Sequence, residues 1–315
     1  MSQQQTTAEP ISVPWGFINL HKPIGWTSHD CVGKLRRVLG TKKIGHGGTL
    51  DPAATGVLPV AVGKATRLLQ YLPKQKAYRG VVRFGIKTTT DDLEGDVIFQ
   101  QTCPALTLDQ VQAALPEFLG TITQIPPAFS AIQRDGKRLY ELARQGIAVA
   151  VPSREVEIDA LEIEAWQGGD FPELILHIQC GEGTYIRAIA RDLGEKLGVG
   201  ATLAGLTRTL SGGFSLADSI TLEDLTEQKA KGDFYCLKPD QALAHLPQVS
   251  LTETQVMQWS YGQKISWARD LAKPLGEPLA VYDQENQCLG VGEFRLGKDN
   301  PEDRVLVGRV VLTGR

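Results

Sequence analysis

Residues Gly45–Gly56 read G-H-G-G-T-L-D-P-A-A-T-G. Four glycines and a proline in twelve residues exclude a long helix and a central strand, so this stretch is a loop. Its backbone can take conformations closed to bulkier residues. Two ionisable side chains sit in it, His46 and Asp51. Pro52 fixes its own φ and disfavours the α region for Asp51, which is therefore held extended at a turn. A carboxylate presented this way is a nucleophile or base offered to a substrate, or it merely caps its own turn.

The charge around the loop bears on that choice. From Trp15 to Thr90 the chain carries thirteen Lys or Arg against Asp30 and Asp51, a net of +11. The whole chain is −3, so the part beyond Thr90 is strongly acidic. A region this basic attracts and steers polyanions, unless it pairs internally with the acidic remainder. Among so many cations a carboxylate stays ionised.

Several function classes lose support. No apolar run approaches the roughly 20 residues of a membrane span. Residues 1–14 are polar with Glu9 as their one charge, unlike a secretory signal, and are expected to be a disordered leader. The five cysteines are scattered, with no C-x-x-C pair, which fits a reduced, cytoplasmic protein. The histidines do not cluster, and His177 and Cys180 fall on opposite faces of one strand, so no metal site is expected. Gly63-Lys64-Ala65 fails the P-loop pattern at Leu58 and Ala65, and Leu50 breaks the dinucleotide fingerprint.

Patterning predicts an α+β chain with a larger unit over 15–247 and a small β-rich module over 248–315. Trp15–Leu20, Val57–Val62, Lys76–Phe84, Val151–Ala165 and Leu174–Cys180 read as strands. Ser28 is the expected N-cap of a helix to Leu39, and Thr184 that of a helix from Tyr185 to Leu197. Lys64–Leu72 reads as a helix, as does Leu108–Leu119, broken near Pro116. The acidic run Thr88–Asp96 reads as a solvated turn. Gln124–Gly146 mixes Arg134, Lys137, Arg138 and Arg144 with Tyr140, a composition suited to nucleic-acid contact. Arg187 opposes the dipole at its helix start, so it is expected to serve a partner, for which Asp51 is a candidate.

Six separated motifs resemble the TruB family of tRNA pseudouridine synthases. They are His21–Ser28 (K-P-x-G-x-T-S), Gly45–Gly56, Lys76-Ala77-Tyr78, Ile125–Gly146, Gly183–Arg187 (G-T-Y-I-R) and Leu206-Thr207-Arg208. The module after residue 247 resembles a PUA-type RNA-binding domain, on Tyr261–Ile265 and Leu289–Gly292. The resemblance implies a pseudouridine-synthase-type mixed sheet with flanking helices and a basic cleft. It implies Asp51 as the catalytic carboxylate, Arg187 as its ion-pair partner, and Tyr78 stacked on the target uracil. Tyr185 and Leu206 would line the base pocket, and His46 would help hold the flipped T-loop. Lys22, Arg138 and Arg208 are expected to contact RNA, with 124–146 as an RNA-gripping insertion. The departures are Gly47 and Ala53, where bulkier residues are common, and Gln133, where lysine is frequent.

The implied substrate is the tRNA T-stem-loop at position 55, with no cofactor, no metal, no protein partner and a monomeric enzyme. Converting uridine to pseudouridine breaks the N1–C1′ bond, rotates the uracil and joins its C5 to C1′. The base must leave its stack, at a cost of a few kcal/mol, and an aromatic face such as Tyr78 returns about 1–3 kcal/mol. Attack at C1′, attack at uracil C6, and proton removal at C2′ to a glycal all remain open for Asp51. A tRNA-folding chaperone and a guide-RNA-dependent synthase are the alternative readings.

Overall fold

The computed structural model describes residues 15–127, 129, 133–134, 137–138, 151–267, 274–297 and 303–312. The expected leader, residues 1–14, lies outside the described residues, as does most of the 124–146 insertion.

Strands in the first part of the chain are β1 (Gly16–Lys22), β2 (Ile44–His46), β3 (Ala54–Val62), β4 (Lys76–Phe84) and the ribbon β5 (Ile86–Thr88) with β6 (Val97–Gln100). After them come β7 (Gly120–Gln124), the short pair β8 (Gln133–Arg134) and β9 (Lys137–Arg138), β10 (Arg154–Gln167), β11 (Glu173–Cys180), β12 (Ala201–Ser211) and β13 (Phe214–Ser215). Among the described residues one mixed sheet runs β1-β3-β12-β4-β11-β10-β7, with β2 on β3 and β13 on β12. Its one parallel pairing joins β3 to β12, with Leu206 opposite Ala54 and Arg208 opposite Gly56. At Gly56, with φ at +103°, a Cβ would sit 2.3 Å from the Arg208 carbonyl oxygen. Only glycine lets the two strands approach there. This pairing carries the Asp51 loop onto the middle of the sheet.

Helix α1 (Ser28–Leu39) buries Cys31, Val32 and Leu35 against Ile18, Leu20, Leu58 and Val60. Its N-cap is Thr27, in a reciprocal capping box with Asp30, and not Ser28. Ser28 is freed by that shift, and its hydroxyl accepts the Leu50 N–H at 2.9 Å. Helix α2 (Leu108–Ala114) gives way to a 3₁₀ turn over Leu115–Phe118, where Pro116 removes a donor. Gly63–Tyr71 is also 3₁₀ rather than α-helical.

Helix α3 (Ile186–Lys196) packs Ile186, Ile189, Ala190 and Leu193 into the core formed with Val82, Leu176 and Leu203. Tyr185 and not Thr184 is its N-cap; the Thr184 hydroxyl donates to the Gly181 carbonyl instead. Helices α4 (Leu222–Lys231) and α5 (Pro239–Leu243) complete this part, Leu222 and Leu225 joining the α1 core.

A second sheet begins at Gln248: β14 (Gln248–Ser250), β15 (Ile265–Trp267), β16 (Pro278–Tyr282), β17 (Cys288–Leu296) and β18 (Arg304–Val311), in the order β14-β16-β17-β18-β15. Helix α6 (Glu253–Ser260) sets Trp259, fully buried, against it, and the indole N–H donates to the Leu289 carbonyl at 3.1 Å. Gly292 and Gly308 leave room for that ring. The second sheet is not a loose appendage. Tyr282, Val291, Val310 and Leu312 share one core with Phe17, Val57, Ala61 and Leu68. The Lys64 ammonium and Arg67 guanidinium donate to the Leu312 and Val311 carbonyls across the join.

Candidate active site

The first motif braces the second. Pro52 and its neighbours end at a turn closed by the Ala54 N–H donating to the Asp51 carbonyl at 3.1 Å. Gly25 N–H donates to the Pro52 carbonyl at 2.8 Å. The Lys22 ammonium, fully buried, donates to the carbonyls of Pro23, Trp26 and Pro52 at 2.8, 2.6 and 3.3 Å. From the other side Arg208, also fully buried, donates to the carbonyls of Val57, Thr49 and Gly48 at 2.8, 3.3 and 3.1 Å. Burial pushes both cations below their usual pKa.

The expectation that Lys22 and Arg208 contact RNA is therefore corrected. Their donors are spent on main-chain carbonyls in and beside the Asp51 loop, and neither reaches the surface. Two buried cations hold the loop that presents Asp51. Arg138 lies on β9, paired with Gln133 on β8, and its side chain is outside the described residues.

Asp51 faces Arg187. Nη2 of Arg187 lies 2.9 Å from the Asp51 Oδ2, with the guanidinium 7% and the carboxylate 43% exposed. The same guanidinium reaches Asp92 Oδ2 at 3.3 Å and donates to the carbonyls of Thr90 and Phe129 at 2.9 and 3.1 Å. One helical turn on, Arg191 pairs with Asp91 and Asp192 at 2.9 and 2.8 Å. Asp91 and Asp92 thus clamp two arginines of α3, while Glu94 and Asp96 are exposed, as expected of a solvated turn. Asp91 takes φ of +61°, and the Asp92 carboxylate is fixed by the Thr90 hydroxyl and the Glu94 N–H. Partial desolvation raises the pKa of Glu94, and the Asp92 and Asp51 charges add to this. Charge count alone could not separate Asp91 and Asp92 from a solvated run. The signal was the mixture of threonines and glycine that a tight, internally bonded loop uses.

Asp51, Lys76, Tyr78, Tyr185, Arg187 and Leu206 line one cavity of about 180 Å³. Lys76 and Tyr78 alternate along β4 and so share a face. Tyr78 is 7% exposed and stands opposite Arg208 on β12, while Leu206 stands opposite Gly80. Burial raises the Tyr78 pKa. Tyr185 is held by Gln124, whose amide accepts the Tyr185 N–H at 2.8 Å and donates to its carbonyl at 3.1 Å. The Arg154 guanidinium lies 5.6 Å over the Tyr185 ring. His46, on β2, does not line this cavity; burial, then the Arg208 charge, lower its pKa.

Internal pairing accounts for part of the basic window. Lys74, Arg79, Arg83 and Lys87 pair with Glu182, Glu164, Glu173 and Glu195. Arg37, Lys42 and Lys43 are exposed, on and just after α1, with no ion pair among the described residues.

Three family models match consecutive parts of the chain. Residues 36–186 match the TruB family pseudouridylate synthase N-terminal domain, 187–243 the tRNA pseudouridylate synthase B C-terminal domain, and 247–301 the C-terminal domain of pseudouridine synthase II TruB. A tRNA pseudouridine synthase B of Nostoc sp. is 54% identical over 90% of this chain and 95% of its own length. One from Synechocystis sp. is 53% identical over 95% and 99%. The chain belongs to the TruB pseudouridylate synthase family. Asp51 and Tyr78 fall in the first TruB model and Arg187 and Leu206 in the second, so the cavity is assembled across both. Among solved structures, an H/ACA RNP bound to a substrate RNA containing 2′-deoxyuridine superposes with a TM-score of 0.70 at 25% identity, over 96% of this chain and 85% of that one. The archaeal box H/ACA sRNP Nop10–Cbf5 complex gives 0.70 at 26%, over 98% and 89%. The TruB mixed sheet and the C-terminal sheet both lie within these overlaps.

Proposed function

We propose that the chain converts uridine to pseudouridine in the T-loop of tRNA, at position 55, with Asp51 as the catalytic carboxylate. Isomerisation of uridine in tRNA follows from membership of the family and from relatives more than half identical over nine-tenths of the chain. The observation that carries the site is the Asp51–Arg187 pair at 2.9 Å inside a cavity walled by Tyr78, Tyr185 and Leu206.

The cavity admits a single base and not a folded RNA, so the target uridine must leave its stack. Tyr78 and Tyr185 offer the flipped base aromatic surface, and Leu206 an apolar wall. Asp51 is reachable, while Arg187 is sunk behind it and fixes its direction. Net isomerisation loses no atom: C1′ exchanges its bond to N1 for one to C5, the C5 proton leaves and N1 gains one. A walled pocket keeps the detached uracil from escaping while it turns. The three routes open to the carboxylate all start from this geometry.

The exposed cations Arg37, Lys42 and Lys43 supply phosphate contacts, and the second sheet, fixed to the first through a shared core, acts as a PUA-like extension of the RNA face. The enzyme acts alone as a cytoplasmic monomer. The cysteines described are all free, and no helix among the described residues is long and apolar enough to cross a membrane. The likeness to H/ACA particles favours one second reading, in which a guide RNA and protein partners are needed. Incubating the purified chain with unmodified tRNA and mapping pseudouridine separates them. Modification at a T-loop uridine supports the first reading; modification only after guide RNA is added supports the second; protection of the RNA without modification makes the chain a binder.

A further inference from the structure

We propose that Lys76 is a further catalytic residue, whose ammonium donates a hydrogen bond to a carbonyl oxygen of the flipped uracil and balances the negative charge that gathers there. The inference rests on the reading of the cavity as the uridine pocket.

Four cations surround the Asp51 loop, and three are fully engaged. Lys22 donates to three carbonyls, as does Arg208. Arg187 is divided among Asp51, Asp92 and two carbonyls. Lys76 lines the cavity and makes no hydrogen bond or ion pair with any of the described residues. Its place follows from the strand: two residues before Tyr78 on β4, it shares the Tyr78 face. It also lies against the Asp51 loop, since a Cβ on Gly48 would stand 3.8 Å from its Nζ. Burial, then the nearby Arg208 charge, lower its pKa, so a bare ammonium is disfavoured there and an arriving negative oxygen relieves the cost.

The reaction supplies that oxygen by every route. If C1′ is attacked, or C2′ loses its proton, the N1–C1′ electron pair departs with the uracil as an anion spread over N1, O2 and O4. If C6 is attacked, the ring becomes an enolate with the charge on O4. In each case Lys76 keeps its proton, and the electron pair returns to carbon when C5 bonds to C1′. A fixed donor aimed at charge that develops only during reaction stabilises the transition state more than the ground state.

The test uses the full chain with Lys76→Met, which keeps the length of the stem, and Lys76→Arg, which keeps the charge. Single-turnover rate and tRNA affinity are measured on unmodified tRNA. Lys76→Met should slow the chemical step by about 10²–10³-fold, with Lys76→Arg in between. Affinity should change by less than about threefold, as for a contact made in the transition state. On the substrate side, tRNAs carrying 2-thiouridine or 4-thiouridine at the target weaken one acceptor at a time. One of them should slow the wild-type chain and leave Lys76→Met indifferent. An unchanged rate in Lys76→Met overturns the proposal. So does weaker binding with a smaller salt dependence at unchanged rate, which marks a phosphate contact. Should Lys76→Met fail to fold, full wild-type rates on both thio substrates overturn it. A wild-type chain inactive on uridine would instead sink the underlying reading.

Discussion

Arg187 holds Asp51 at 2.9 Å while the two differ in exposure, the guanidinium being 7% and the carboxylate 43% open to solvent. The bracing charge is buried, and the one proposed to meet the substrate is reachable. Arg187 stays in place because Asp92, two carbonyls and the packing of α3 leave it no other position. Without that brace, Asp51 would swing on its turn.

Asp92→Asn removes the rear charge while keeping shape. The freed guanidinium is expected to shift towards Asp51, and small displacements of a reacting group cost up to about 10²-fold. Single-turnover kinetics should show a drop of that order with tRNA affinity nearly unchanged. A full rate would show that Asp92 does not position Arg187.

Arg208→Met should act on stability first. It takes the guanidinium donors from the buried Val57 carbonyl and from the Gly48 and Thr49 carbonyls, which are nearer solvent, and a buried orphan costs about 1–3 kcal/mol. Urea unfolding should lose on the order of 1–3 kcal/mol. The salt dependence of tRNA binding by the folded fraction should be unchanged. Intact stability with weaker, less salt-sensitive binding would restore Arg208 to the RNA surface.

Lys42→Ala combined with Lys43→Ala should do the reverse. Both side chains are exposed, so stability should move little. The slope of log affinity against log salt should shrink by about 2 as two phosphate contacts vanish. An unchanged slope would move the RNA face away from the end of α1.

His46 gives stability a pH dependence. Its folded pKa lies below the usual value near 6.5 because burial disfavours the imidazolium. Between the folded and unfolded values the unfolded chain binds more protons, so stability rises with pH there. The His46 contribution is complete above the unfolded pKa and is lost as pH falls below it, through the folded pKa. Thermal unfolding from pH 7.5 to 5 should show the decline, and His46→Gln should flatten it. An equal decline in the variant would assign it to other groups.

What the chain made legible was whatever repeats with a period or needs a special backbone. The β4 and β11 alternations stand where patterning put them, because period is a local property. The loop read over Gly45–Gly56 is shorter, 47–53, since Gly45 and His46 pair in β2 and Ala54, Thr55 and Gly56 in β3, where strand neighbours override glycine content. The mixed α+β sheet and the TruB family were legible as well. Helix caps slipped by a residue, since Thr27 and Ser28 are both good caps and the Asp30 partner decides between them. The roles of Lys22 and Arg208 were misread because charge in a sequence carries no depth. Whether a lysine meets phosphate or a loop carbonyl depends on which strands cover it. Asp92 and Gln124 were missed for the same reason: each acts through a partner far along the chain, Arg187 and Tyr185.

The most direct test of Asp51 is its replacement by Asn, which keeps size and the turn. With unmodified tRNA under single-turnover conditions, Asp51→Asn should form no measurable pseudouridine and should still bind tRNA with an affinity close to that of the wild-type chain. Substantial pseudouridine formation by Asp51→Asn would contradict the account, because the carboxylate braced by Arg187 would then not be the group that acts on the nucleoside.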